Sequence, residues 1–142
     1  MIDRNAVFVD TSGWIALLQT DDIDHSRAAS VMQELKTKRR SLITSDWVLA
    51  ETGNGLARLP ARKRYVPMVK SILRSSDVEL VEVSSAVFHE ALALYHKTSD
   101  KQWGIVDCTS FAIMRERELR DALTWDQHFE QAGFRCLLRT TI

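Results

Sequence analysis

The stretch from Ala6 to Leu18 constrains this chain most. A run of strand-forming apolar residues, Ala6 to Val9, stops at Asp10, passes Thr11, Ser12 and Gly13, and resumes as an apolar run of helical character from Trp14 to Leu18. That order predicts a buried strand feeding a helix with a carboxylate at the turn. In open parallel α/β sheets ligands gather beyond the carboxyl ends of the strands, so Asp10 stands where chemistry is expected.

The rest of the chain repeats the alternation. Further strands are expected at Ser41–Thr44, Val78–Val83, Ala122–Trp125 and Phe134–Leu138. Between them, Asp24 caps a helix through Lys38, Ser45 or Asp46 caps one beginning at Trp47, and Ser84 or Ser85 caps one ending near Lys97. Pro60 opens a further helix, which Pro67 kinks or splits, and another helix runs from about Ile105 to Leu119 with Asp107 in its first turn. Strand and helix in alternation call for parallel strands joined by helical crossovers. A chain of 142 residues is the size of one domain, expected here over 1–142. No run is apolar enough to cross a membrane and the start lacks a secretion signal, so a cytoplasmic protein is expected. Cys108 and Cys136 have no metal or redox spacing and read as free core thiols.

Net charge is zero, but it is unevenly spread. Between Ser26 and Ser75 there are eleven Lys or Arg against three acids. Lys36 to Arg40 and Arg58 to Arg64 carry much of it, and such a stretch either contacts phosphates or an acidic partner, or is simply a solvated face.

Four acids stand out by position. Asp10 and Asp126 follow apolar strands, whereas Glu51 and Asp107 lie in early helical turns leading from the same sheet edge. Singly, each has a structural role open to it, as a cap or a partner of the helix dipole. Glu51, beside Val48, Leu49 and Ala50, is the least easily placed in solvent. Together they would repel and raise one another's pKa unless a cation compensates. Oxygen donors without nearby cysteine or histidine favour Mg²⁺, with Mn²⁺ as a substitute, for activating water and neutralising phosphoryl charge. The histidines read as surface or packing residues.

These residues carry a resemblance. Phe8 to Ser12, Leu49 to Thr52, Val106 to Ala112 and Thr124 to Phe129 resemble the motifs of PIN-domain ribonucleases, in particular the VapC toxins of VapBC toxin–antitoxin modules. The resemblance implies a PIN-like three-layer α/β/α sandwich around a central, mostly parallel sheet of four to five strands. It also implies a Mg²⁺-dependent endoribonuclease with Asp10, Glu51, Asp107 and Asp126 as catalytic and metal-holding acids, and Thr11, Ser12 and Thr124 as polar support. A cognate VapB-type antitoxin and a homodimer are the partners it implies beside the RNA, and Trp103, in a polar loop before the Asp107 helix, is the tryptophan to test for RNA contact. The alternatives are a housekeeping PIN nuclease or an inactive PIN-like binding module. A phosphotransfer domain is disfavoured because Ser12 stands where a second aspartate is needed and no lysine follows Lys101. A serine hydrolase lacks its Gly-x-Ser-x-Gly elbow.

Overall fold

A computed structural model of the chain describes residues 2–139. Five strands, β1 (Val7–Val9), β2 (Leu42–Ser45), β3 (Val78–Val81), β4 (Asp121–Leu123) and β5 (Arg135–Cys136), form one sheet in the order β3-β2-β1-β4-β5. Every pairing is parallel. The helices α1 (Thr11–Leu18), α2 (His25–Thr37), α3 (Asp46–Leu56), α4 (Tyr65–Arg74), α5 (Ser85–Lys97), α6 (Ile105–Glu116) and α7 (Gln127–Gln131) flank it. The architecture is the expected α/β one.

Strand β1 lies at the centre, and Val7, Phe8 and Val9 are fully buried, which is why it reads as an unbroken apolar run rather than an alternating one. The edge strand β3 is only partly buried, as its acid-and-apolar alternation predicts. From β1 the chain passes to β2 on one side and later returns to β4 on the other. The crevice between the carboxyl ends of β1 and β4 is therefore the switch point at which such sheets bind ligands.

Several boundaries differ from expectation for local reasons. The fourth strand begins at Asp121 and ends at Leu123, so Thr124 and Trp125 lie beyond the ladder, and Asp126 is the residue preceding α7 rather than a strand terminus. Helix α6 stops at Glu116 because Glu118 takes a left-handed conformation at φ 56°. The last strand spans only Arg135–Cys136. Asp24 precedes α2 but makes no side-chain cap, whereas Ser45 and Ser84 do accept the amides of Val48 and Val87. Pro60 opens a 3₁₀ turn over Pro60–Arg64, and Pro67 falls in the first turn of α4, where its missing amide costs no helical bond. Cys108 and Cys136 are free and buried.

Gly13 holds this frame together. A Cβ built there would lie 2.3 Å from the Leu123 carbonyl oxygen, so only glycine lets α1 rest on the end of β4. The close approach brings the residues after β1 and β4 side by side. Gly13→Ala should therefore destabilise the fold by about 3 kcal/mol, read as a lower urea midpoint at unchanged m-value.

Candidate functional site

Asp10 follows β1 by one residue, and its amide donates to the Leu123 carbonyl at 3.3 Å. The residue is 3% exposed. Its Oδ2 accepts the Thr124 hydroxyl at 3.1 Å, while its Oδ1 is buried with no hydrogen-bond partner. Burial is the main force pushing its pKa up to about 7, opposed by the Thr11 amide and Thr124 and assisted by repulsion from Asp107 and Glu51. A buried carboxylate oxygen left bare is costly unless something fills the space it faces.

A chain of hydroxyls fixes the other oxygen. Ser12 Oγ and Thr124 Oγ1 are 3.0 Å apart, and Thr124 Oγ1 also accepts the Asp126 amide at 2.9 Å. Thr124 has one proton and gives it to Asp10, so Ser12 is the donor to Thr124 and accepts in turn the Trp125 amide at 2.9 Å. Ser12 and Thr124 thus tie the turn after β1 to the turn after β4.

Glu51 stands on α3 and its Oε1 accepts the Thr11 hydroxyl at 2.6 Å. The residue is exposed, which corrects the expectation that its apolar neighbours keep it from solvent: Val48, Leu49 and Thr52 turn inward while Ala50 and Glu51 turn out. Asp107, in the first turn of α6, accepts the Gly104 amide at 3.1 Å. Burial raises its pKa, against the Gly104 bond, and Asp126 adds repulsion. Asp126 caps α7 by accepting the His128 amide at 2.9 Å.

One member of the site is absent from the sequence reading. His128, expected to be a surface or packing residue, sets its Nδ1 at 3.1 Å from Asp107 and 3.2 Å from Asp126. Flanked by two carboxylate oxygens, that nitrogen carries the ring proton. Asp107, Asp126 and His128 offer ligand atoms within 4.8 Å of one another, a grouping able to hold a metal ion. The signal was the Asp126-x-His128 spacing at a helix start, which turns the imidazole back over the capping carboxylate. Asp107 and Glu51 both repel the charge of Asp10, so the acids lie near enough to sense one another, but Asp10 and Glu51 fall outside the trio's 4.8 Å grouping. The donor set, carboxylates and one imidazole, with the bare buried oxygen of Asp10 as a further donor, fits a divalent cation.

Trp103 does not meet the expectation of an RNA contact. It is buried, donates Nε1 to Gln131 at 2.9 Å and packs edge-on against Phe111 at 5.0 Å. The basic stretch divides. Arg62 and Arg64 donate at 2.9 Å to the carbonyls of Ala57 and Leu18, whereas Lys38 to Arg40 face a cleft at the other end of the sheet.

A parallel sheet with acids at its switch point marks an α/β domain with a site at the strand ends, and the PIN-domain profile matches residues 7–135: the chain belongs to the PIN-domain family. More particularly, it is 31% identical over 128 residues to the 23S rRNA-specific endonuclease VapC20 of Mycobacterium tuberculosis, covering 90% of this chain and 95% of that one. The crystal structure of that protein, a sarcin–ricin loop cleaving toxin, superposes with a TM-score of 0.78 at 30% identity, over 91% and 96% of the two chains. VapBC2 of Rickettsia felis, bound to promoter DNA, shares the fold at a TM-score of 0.64 and 14% identity, over 89% and 92%. Among the described residues no helix is long and apolar enough to cross a membrane.

Proposed function

We propose that this chain, as one PIN domain over 1–142, is a metal-dependent endoribonuclease of the VapC type, the toxin of a toxin–antitoxin pair working in the cytoplasm. The observation that carries the reading is the buried, unpartnered Oδ1 of Asp10 among carboxylates at the sheet's switch point. Asp10, Glu51, Asp107 and Asp126 would hold Mg²⁺, or Mn²⁺ in its place, with the His128 imidazole beside them. Bound there, the cation would offset carboxylate charge, acidify water and neutralise charge developing on the phosphoryl group.

The chain's own residues do the positioning. The Ser12–Thr124 relay fixes one oxygen of Asp10 and leaves Oδ1 without a protein partner. Thr11 aims Glu51, and the His128 proton, shared between Asp107 and Asp126, restrains carboxylates that would otherwise move apart. In-line hydrolysis then needs an exposed phosphodiester, which a looped RNA provides better than a regular helix. The likeness to VapC20 favours a ribosomal RNA loop as substrate, and a VapB-type antitoxin and a second copy of this chain as partners.

Sequencing new RNA 5′ ends after brief induction of the wild type and of an Asp107→Asn variant tests the reading. One dominant cleavage site in wild-type cells, absent with the variant, is expected. Equal cleavage by both rejects the site, and cleavage without toxicity or a copurifying partner points instead to a housekeeping nuclease.

A further inference from the structure

The amino-terminal end of the sheet, opposite the carboxylates, opens into a cleft of about 1110 Å³. Seven cations and three acids line it, in a chain whose net charge is zero. At its floor Asp121, the first residue of β4, is buried and holds two guanidinium groups. Arg40 Nη2 reaches its Oδ2 at 2.8 Å, and Arg135 grips both oxygens at 2.9 Å. Both Nη2 atoms meet on the same oxygen, so the two cations are pinned side by side over one negative charge. Arg40 is further fixed by donating Nε to the Asn5 carbonyl at 2.8 Å. Each guanidinium still has N–H groups to spare, presented in a rigid plane that matches a phosphate.

The rim adds unspent charge. Arg139 is paired with Glu130 and Lys38 with Glu34, but Arg39 and Arg120 are exposed and make no side-chain bond among the described residues. Among the lining residues Phe134 is the one aromatic, and it is half-buried. Leu119 and Cys136 are buried, and Phe134 is already packed on Phe111 at 5.8 Å. A nucleotide would need a ring to stack on, and a protein partner a pocket for an aromatic or aliphatic anchor. Backbone phosphates need neither.

We propose that this cleft binds the phosphodiester backbone of RNA, gripping helical segments that flank the loop at the carboxylate edge. The inference rests on the ribonuclease reading for the identity of the polyanion. It extends that reading by giving the enzyme a second contact at the far end of the strands, about 10 Å beyond the site along β4. Such a contact is indifferent to sequence and favours a loop carried on a stem over the same loop alone.

The test uses the intact protein and a labelled 20-base-pair RNA duplex, with binding followed by anisotropy in EDTA so that the metal site takes no part. The variant R39E/R120E changes two exposed, unpaired side chains, and its thermal melt should match the wild type. Its duplex affinity should fall about tenfold at 0.15 M salt, and the slope of log affinity against log salt should become shallower by about 1.5. With Mg²⁺, its KM for a cleavable stem–loop should rise while cleavage of the stemless loop stays at the wild-type rate. Unchanged duplex affinity and salt slope overturn the proposal, as does equal competition by poly-glutamate, which would mark an acidic protein site. If the wild type cuts no RNA but the variant still loses duplex affinity, the nuclease reading fails and the cleft stands.

Discussion

Asp10→Asn should abolish RNA cleavage, by roughly 10³-fold or more, and at the same time make the metal-free protein more stable at pH 8. The loss corresponds to about 4 kcal/mol of transition-state stabilisation, what is expected on removing a charge from the centre of the site. The gain follows from burial, which raises the Asp10 pKa to about 7. A carboxyl whose pKa is higher folded than unfolded binds more protons in the native state, so its ionisation weakens the fold as pH rises through about 4 to 7. A shift from 3.8 to about 7 sets a ceiling of about 4 kcal/mol on that weakening. Asparagine removes the charge but adds N–H donors that need partners, so a net gain of about 2 kcal/mol is expected at pH 8. Urea unfolding in EDTA should show this gain at pH 8 and little difference between the proteins near pH 4. Adding Mn²⁺ or Mg²⁺ at pH 8 should raise the melting temperature of the wild type only. Equal stability of the two proteins at both pH values would mean that Asp10 is not held in a penalised state.

The part of the site that the sequence made legible is the part written in short range. Val7 to Asp10 show a buried strand and its terminal carboxylate because burial on both faces leaves an unbroken apolar run. Asp107 was visible as an acid in the first turn of a helix. Local spacing does not report which turns meet. That Thr124 donates to Asp10 depends on β1 pairing with β4 in the register Val9↔Leu123, across 114 residues of chain. Gly13 permits that meeting, yet in the sequence it looks like an ordinary turn residue.

The misreadings have the same cause. Glu51 sits among apolar neighbours in sequence, but a helix turns adjacent residues to different faces, and this one faces out. Trp103 lies in a polar loop, yet its ring fills the space beside Phe111 and its N–H finds Gln131. His128 carries only the short Asp126-x-His128 spacing as a signal, and the docking of α7 against α6 is what sets it between Asp107 and Asp126. Arg40, Asp121 and Arg135 were invisible as a set: Arg40 lies 81 residues from Asp121, and only the parallel register brings the starts of these strands together.

That trio gives a stability effect as large as the one expected at Gly13. Asp121→Ala should cost about 3 kcal/mol, because it leaves two guanidinium groups facing each other without the carboxylate that holds them. Arg40 is the costlier partner to strand, since its side chain is 19% exposed against 60% for Arg135, and water screens the latter. Arg40→Ala should therefore destabilise more than Arg135→Ala, and a double-mutant cycle with Asp121→Ala should give the larger coupling for Arg40. Burial opposes ionisation of Asp121, but the bonds from Arg135 and Arg40 outweigh it and hold its pKa below the ordinary value. Its contribution is thus complete above about pH 4 and lost as pH falls through the depressed value, the reverse of Asp10. Below pH 4 the wild type should lose stability more steeply with acid than Asp121→Ala does. Parallel curves for the two proteins down to pH 2 would show that the carboxylate contributes nothing as a charge, and that the arginines are held by packing alone.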